Sequence, residues 1–102
     1  MYKPSLLLLP ALFCAVLNAQ APLTTLGAPY TQNFDTLANS GTSSTLPTGW
    51  ALLETGTSSA VDQLYAAGTG SSNAGNLYSL GAAGSTDRAF GGLQSGTLVP
   101  TI

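Results

Sequence analysis

Leu77-Tyr78-Ser79-Leu80, followed after residues 81–87 by Arg88-Ala89-Phe90, is the stretch that decides the fold class. Leu77 and Ser79 alternate with Tyr78 and Leu80, which is the two-residue period of a strand. The intervening segment carries Gly81 and Gly84 and reads as the loop of a β-hairpin. It is longer than the tight two-residue type, so the pattern leaves the register open. Asp87 and Arg88 are neighbours and would face opposite sides of a strand. Arg88 is therefore expected to pair elsewhere or to lie across the sheet surface.

Working outward, the remaining apolar residues also come in short bursts. The candidate strands are residues 30–34, 50–54, 60–65, 77–80, 88–91 and 97–102. Tyr30, Gln32 and Phe34 share one face of the first, and Trp50 and Leu52 share a face of the second. No window after residue 20 sustains helical periodicity over three turns, because Gly, Ser, Thr and Asn interrupt the chain too often. Leu46-Pro47-Thr48-Gly49-Trp50 is a turn with a mechanism: Pro47 fixes φ, Gly49 permits a positive φ, and Trp50 enters the next strand as a core anchor. Residues 39–45 and 68–75 read as polar loops. Short strands separated by such loops predict an all-β fold, a partial β-sandwich or jelly roll.

Composition bounds the chemistry. The chain has 102 residues, of which six are charged: Lys3, Asp35, Glu54, Asp62, Asp87 and Arg88. It has no histidine, which excludes a Ser-His-Asp triad, a Cys-His pair and an imidazole zinc ligand. Two cations in the whole chain cannot build an electrostatic nucleic-acid surface, so no nucleic acid is expected as a partner of this segment. The sequence predicts a non-catalytic segment.

Apolar residues are unevenly spread. Residues 1–19 hold 14 of them, whereas the following 83 residues hold 20 large apolar side chains besides 11 alanines. Met1-Tyr2-Lys3 followed by an apolar run at 6–17 reads as a cleavable signal-peptide helix. The run is shorter than the ~20 residues a membrane span needs, so it is no anchor; a buried helix of the fold is the competing reading. Cleavage is expected after Ala19, so the membrane would be met only during export. Cys14 lies within the run behind the bulky Phe13, which argues against lipidation. The expected product carries no cysteine to form a disulfide. The expected organisation is thus a signal peptide at 1–19, a linker at 20–29 and an incomplete β-sandwich module at 30–102.

Tyr30-Thr31-Gln32-Asn33-Phe34-Asp35-Thr36-Leu37, then Leu46-Pro47-Thr48-Gly49-Trp50, then Ser85-Thr86-Asp87-Arg88-Ala89-Phe90-Gly91 together resemble a β-sandwich module of secreted bacterial surface proteins and extracellular nucleases. The resemblance spans residues 30–102. It implies a secreted, extracellular or cell-surface location, and a jelly-roll-like fold similar to those of carbohydrate-binding modules. It also implies that further strands follow the stretch matching Leu98-Val99-Pro100-Thr101-Ile102, hence that the chain is a truncated module. The expected role is adhesion or contact with extracellular glycans. The alternative is the N-terminal accessory region of a secreted hydrolase, such as a nuclease, whose catalytic domain lies elsewhere. A structural or disordered surface segment with no ligand is a third reading; the low charge argues against ordinary disorder, which favours high net charge.

Candidate sites follow from residue chemistry. Flat aromatic rings stack on the apolar faces of sugars, and Tyr65 and Tyr78, flanked by polar loops, are the expected ligand-binding pair. Trp50, Phe34, Phe90 and Arg88 are the expected structural residues. Calcium takes carboxylate, amide and carbonyl oxygens, and Asp35 with Asn33 or Asn39 is the nearest such cluster. The remaining acids read as solvated loop and strand-end carboxylates. Gly68-Thr69-Gly70-Ser71-Ser72-Asn73 starts like a dinucleotide-binding loop but ends on Asn73 and lacks the strand–helix context.

Overall fold

The computed structural model describes residues 20–102; the expected signal peptide and the cleavage point at Ala19 lie outside the described residues. Six strands form: β1 (Thr42–Ser43), β2 (Leu53–Gly56), β3 (Tyr65–Gly68), β4 (Asn76–Leu80), β5 (Ala89–Leu93) and β6 (Leu98–Thr101). They make two sheets, a four-stranded one in the order β1-β3-β4-β5 and a two-stranded one pairing β2 with β6. The described chain is a small all-β domain. Among the described residues, no helix is long and apolar enough to cross a membrane.

Six strands were expected, but they are not the same six. The hairpin is present: β4 and β5 run antiparallel, with Ser79 opposite Phe90 and Leu80 opposite Ala89. β6 also falls within its expected range. Residues 30–34 form no strand: they pair with neither sheet, and Phe34 ends the segment at a positive φ of 57°. Asn33 Oδ1 accepts the Asp35 N–H there, and Leu37 N–H donates to the Phe34 carbonyl. The tight bend turns the Phe34 ring towards Trp50 and Phe90. Residues 60–64 are likewise turn rather than strand, and β3 begins only at Tyr65. Trp50 precedes β2 instead of opening it. Conversely, a two-residue strand, β1, sits inside the expected polar loop 39–45.

The turn at 47–50 does form. Trp50 N–H donates to the Pro47 carbonyl at 3.1 Å, and Gly49 sits at φ 88°. That places a positive φ at the third residue, as a type II turn requires. Glycine is needed for a second reason: a Cβ here would lie 2.5 Å from the backbone of Ala21, so the chain entering the domain rests directly on the turn.

β3 and β4 are parallel neighbours, with Tyr65 opposite Leu77 and Gly68 opposite Leu80. This departs from the antiparallel pairing of a jelly roll. Parallel strands usually need a crossover of a dozen or more residues; here residues 69–75 suffice. The return covers only about 13 Å of strand rise, and eight extended Cα steps reach about 26 Å.

Alternation then sorts the side chains. Tyr65, Leu77 and Ser79 point to the buried face, and Ala66, Tyr78 and Leu80 to the outer one. Leu37, Tyr65 and Leu77 form the core, with Phe34, Ala38, Leu46, Leu52 and Phe90 packed against it. Trp50, Phe34, Phe90 and Tyr65 make a chain of ring contacts, with successive centroids 4.7, 5.9 and 5.7 Å apart. Such offset and edge-on contacts add about 0.5–1.5 kcal/mol per pair beyond area burial.

Candidate functional site

Two of the charged side chains are buried, and both are spent on backbone. Glu54, 2% exposed, projects from β2 to the entry end of the parallel pair. Its Oε2 accepts the N–H groups of Asp62 and Gln63, each at 3.2 Å, just before β3. Its Oε1 accepts the Leu77 N–H at 3.1 Å, at the start of β4. Gln63, itself at φ 61°, returns its side-chain amide to Glu54. Gln63 Nε2 donates to the Glu54 carbonyl at 2.8 Å, and the Glu54 N–H donates to Gln63 Oε1 at 3.0 Å.

Arg88, 4% exposed, closes the exit end. Its Nε–H donates to Ser79 Oγ at 2.9 Å. One terminal nitrogen donates to the Ala82 carbonyl at 3.1 Å, and the other to the carbonyls of Gly68, at 3.2 Å, and Ser79. Backbone N–H groups thus meet an anion where the two strands begin, and backbone carbonyls meet a cation where they end. Aligned strand dipoles do not cancel as in an antiparallel pair, so these signs suit a parallel one. Buried charges carry a large desolvation cost unless hydrogen bonds replace water, and here three and four contacts do so. The expectation for Arg88 of a position across the sheet surface is therefore corrected, as is that of a solvated acid for Glu54.

The surface feature with the chemistry of a binding site lies on the outer face of the four-stranded sheet. It is a depression of about 230 Å³ lined by Gly70, Ser72, Tyr78, Leu80, Gly91, Gly92 and Leu93. Its floor is an aromatic ring and two leucines, and no charged side chain lines it. The register builds it: Tyr78 lies opposite Ala66 on one side and Gly91 on the other. Neither neighbour has a side chain large enough to cover the ring. The Tyr78 hydroxyl donates to the Ala74 carbonyl at 2.8 Å and accepts from Ser72 Oγ at 3.1 Å. Both its hydrogen-bonding directions therefore hold the 69–75 return, and the ring faces the depression.

Of the two tyrosines expected to bind ligand, only Tyr78 is at this surface. Tyr65 is fully buried; its hydroxyl donates to the Thr45 carbonyl at 2.9 Å and accepts the Ala38 N–H at 3.0 Å. It is a core residue that ties two loop segments to β3. Asp35 is exposed, and its Oδ1 accepts the Arg88 N–H at 3.4 Å. Asn33 Oδ1 is engaged by the Asp35 N–H, and Asn39 donates its amide to the Gly84 carbonyl at 3.2 Å. Among the described residues, no three His, Cys, Asp or Glu side chains come together as a metal-binding group. Trp50 donates its ring N–H to the Tyr30 hydroxyl at 3.1 Å.

Leu80, Leu93 and the glycines of β5 escaped the sequence reading. The hairpin alternation put Tyr78 and Leu80 on one face, but only the register shows which β5 residues join them. No protein-family model matches the chain, and neither does any curated protein or solved structure.

Proposed function

We propose that this chain is an exported, non-catalytic β-sandwich segment that contacts neutral glycans, outside the cell or at its surface, through the Tyr78 depression. The observation that carries this reading is the uncharged floor of Tyr78, Leu80 and Leu93 beside glycine backbone. An exposed ring face bordered by small residues lets a pyranose lie flat, and stacking needs no ionic partner. The two-sheet all-β fold and the leader read from residues 1–19 support the same direction. The buried state of Glu54 and Arg88 supports a structural rather than a chemical use of charge. Arg88 is the single cationic side chain among the described residues, which leaves no basic surface for a phosphate backbone.

Titration of the full chain with neutral β-linked oligosaccharides, followed by backbone amide shifts, tests the reading. Shifts are expected at Gly70, Tyr78, Gly91 and Leu93. Tyr78→Ala should weaken binding at least tenfold. Tyr78→Phe keeps the ring and should keep most of the affinity. A folded protein that binds no neutral glycan, or whose binding ignores Tyr78→Ala, refutes the proposal.

A further inference from the structure

A sheet edge exposes unpaired N–H and C=O groups, and proteins blunt such edges with short strands, proline, charge or a covering side chain. Three of the four edges here are blunted. β1 is only two residues long. On β2, the Gln63 side chain occupies both the N–H and the carbonyl of Glu54. Those groups therefore do not point at Pro100, the β6 partner of Glu54. The ring nitrogen of Pro100 must then face away from β2, so the outer edge of β6 lacks a donor there.

β5 has none of these devices. It reads Ala89-Phe90-Gly91-Gly92-Leu93, with no charge and no proline, and it is the terminal strand of the larger sheet. The Gly81 N–H donates to the Gly68 carbonyl of β3, so odd-numbered residues on this side of β4 direct their backbone at β3. By alternation, Asn76, Tyr78 and Leu80 direct theirs at β5. Their partners Leu93, Gly91 and Ala89 answer them. That leaves the N–H and carbonyl of Phe90 and Gly92 pointing off the edge. Among the described residues, no hydrogen bond outside the ladder reaches them.

We propose that this chain self-associates by antiparallel pairing of β5 with β5 of a second copy, about a two-fold axis at Gly91. In that register the edge groups of Phe90 meet those of Gly92 in the other copy, twice over. Side chains also complement: Phe90 faces Gly92, Leu93 faces Ala89, and Gly91 faces itself at a closely spaced site, about 4.5 Å between Cα atoms. A two-fold interface needs such self-complementarity, and no like charges oppose one another in it. The two Tyr78 depressions, each bordered by β5, then share one face of a continuous sheet. The pairing rests on the edge geometry and stands whether or not the depression binds glycan.

An interface of one short strand falls in the weak, transient class, so sedimentation of the full chain should show a monomer–dimer equilibrium on the order of 100 µM. Gly91→Lys and Gly91→Glu test it, because a side chain at 91 points to the outer face and meets only Leu80 Cδ1, at 3.4 Å. Each variant places like charges directly opposite each other and should be monomeric at the same concentration. An equimolar mixture of the two should recover the dimer. Gly91→Cys is the second probe and should form an intermolecular disulfide at position 91 under mild oxidation. A wild-type monomer at about 1 mM, or dimers that persist equally in the separate Lys and Glu variants, overturns the proposal.

Discussion

The two ends of the parallel pair β3–β4 are closed by opposite charges that arrive by different routes. At the exit end, Arg88 comes from the residue just before β5, and its guanidinium contacts all lie on the same four-stranded sheet or the loop after it. At the entry end, Glu54 comes from β2, in the other sheet, and reaches the starts of β3 and β4. The exit cap is internal to one sheet, whereas the entry cap joins two. A parallel pair this short has few ladder bonds of its own, so its ends carry a large share of its definition. The entry end additionally fixes how the sheets are assembled.

Replacing Arg88 with Met should have the largest effect. It removes the donor of Ser79 Oγ and the guanidinium bonds to the Gly68, Ser79 and Ala82 carbonyls, of which Gly68 and Ala82 keep the N–H groups of Gly81 and Ser85, at a cost of about 3–5 kcal/mol. Small domains lose roughly 4–8 °C of Tm per kcal/mol, so thermal unfolding followed by circular dichroism should show a fall of at least about 12 °C. An unchanged Tm would show that Arg88 does not hold the exit end. Glu54→Gln comes next, at about 2 kcal/mol by urea denaturation. One amide oxygen can still accept, but the amide nitrogen would face N–H groups where an acceptor was. The smallest effect belongs to Tyr65→Phe, about 1–2 kcal/mol, from loss of the Ala38 and Thr45 bonds. Tyr65 opens β3, but its hydroxyl touches neither Glu54 nor Arg88, so the substitution lowers stability without opening either cap.

What was legible in the sequence was what is local. The β4–β5 hairpin could be read because its alternation and its loop occupy one stretch of chain. The turn at Pro47–Trp50 could be read because Pro47 and Gly49 carry their backbone preferences with them. Residues 30–34 alternate equally well, yet they find no strand partner, and Phe34 takes φ 57° with its ring against Trp50 and Phe90. That is a tertiary preference overriding a local pattern. The parallel pairing of β3 with β4 is set by long-range register and by caps from residues 54 and 88. Nothing beside Glu54 in the chain marks it as buried, since its partners lie 8, 9 and 23 residues away. Of the site, Tyr78 was identified from ring chemistry and flanking polarity. Its bordering glycines became meaningful only once Gly91 was found opposite it.

The most direct test of the capped parallel pair is amide hydrogen exchange, measured by NMR on the wild type and on Glu54→Gln. Leu77 is buried, and its N–H is held by Glu54 Oε1 and by Asn76 Oδ1. The expected result is a loss of protection of at least about tenfold, or 1.4 kcal/mol, at Leu77 and Gln63. Gly91 and Leu93, whose ladder bonds to β4 do not involve the cap, should lose clearly less. Equal exchange at Leu77 in the two proteins, or a uniform loss across both sheets, would contradict the account.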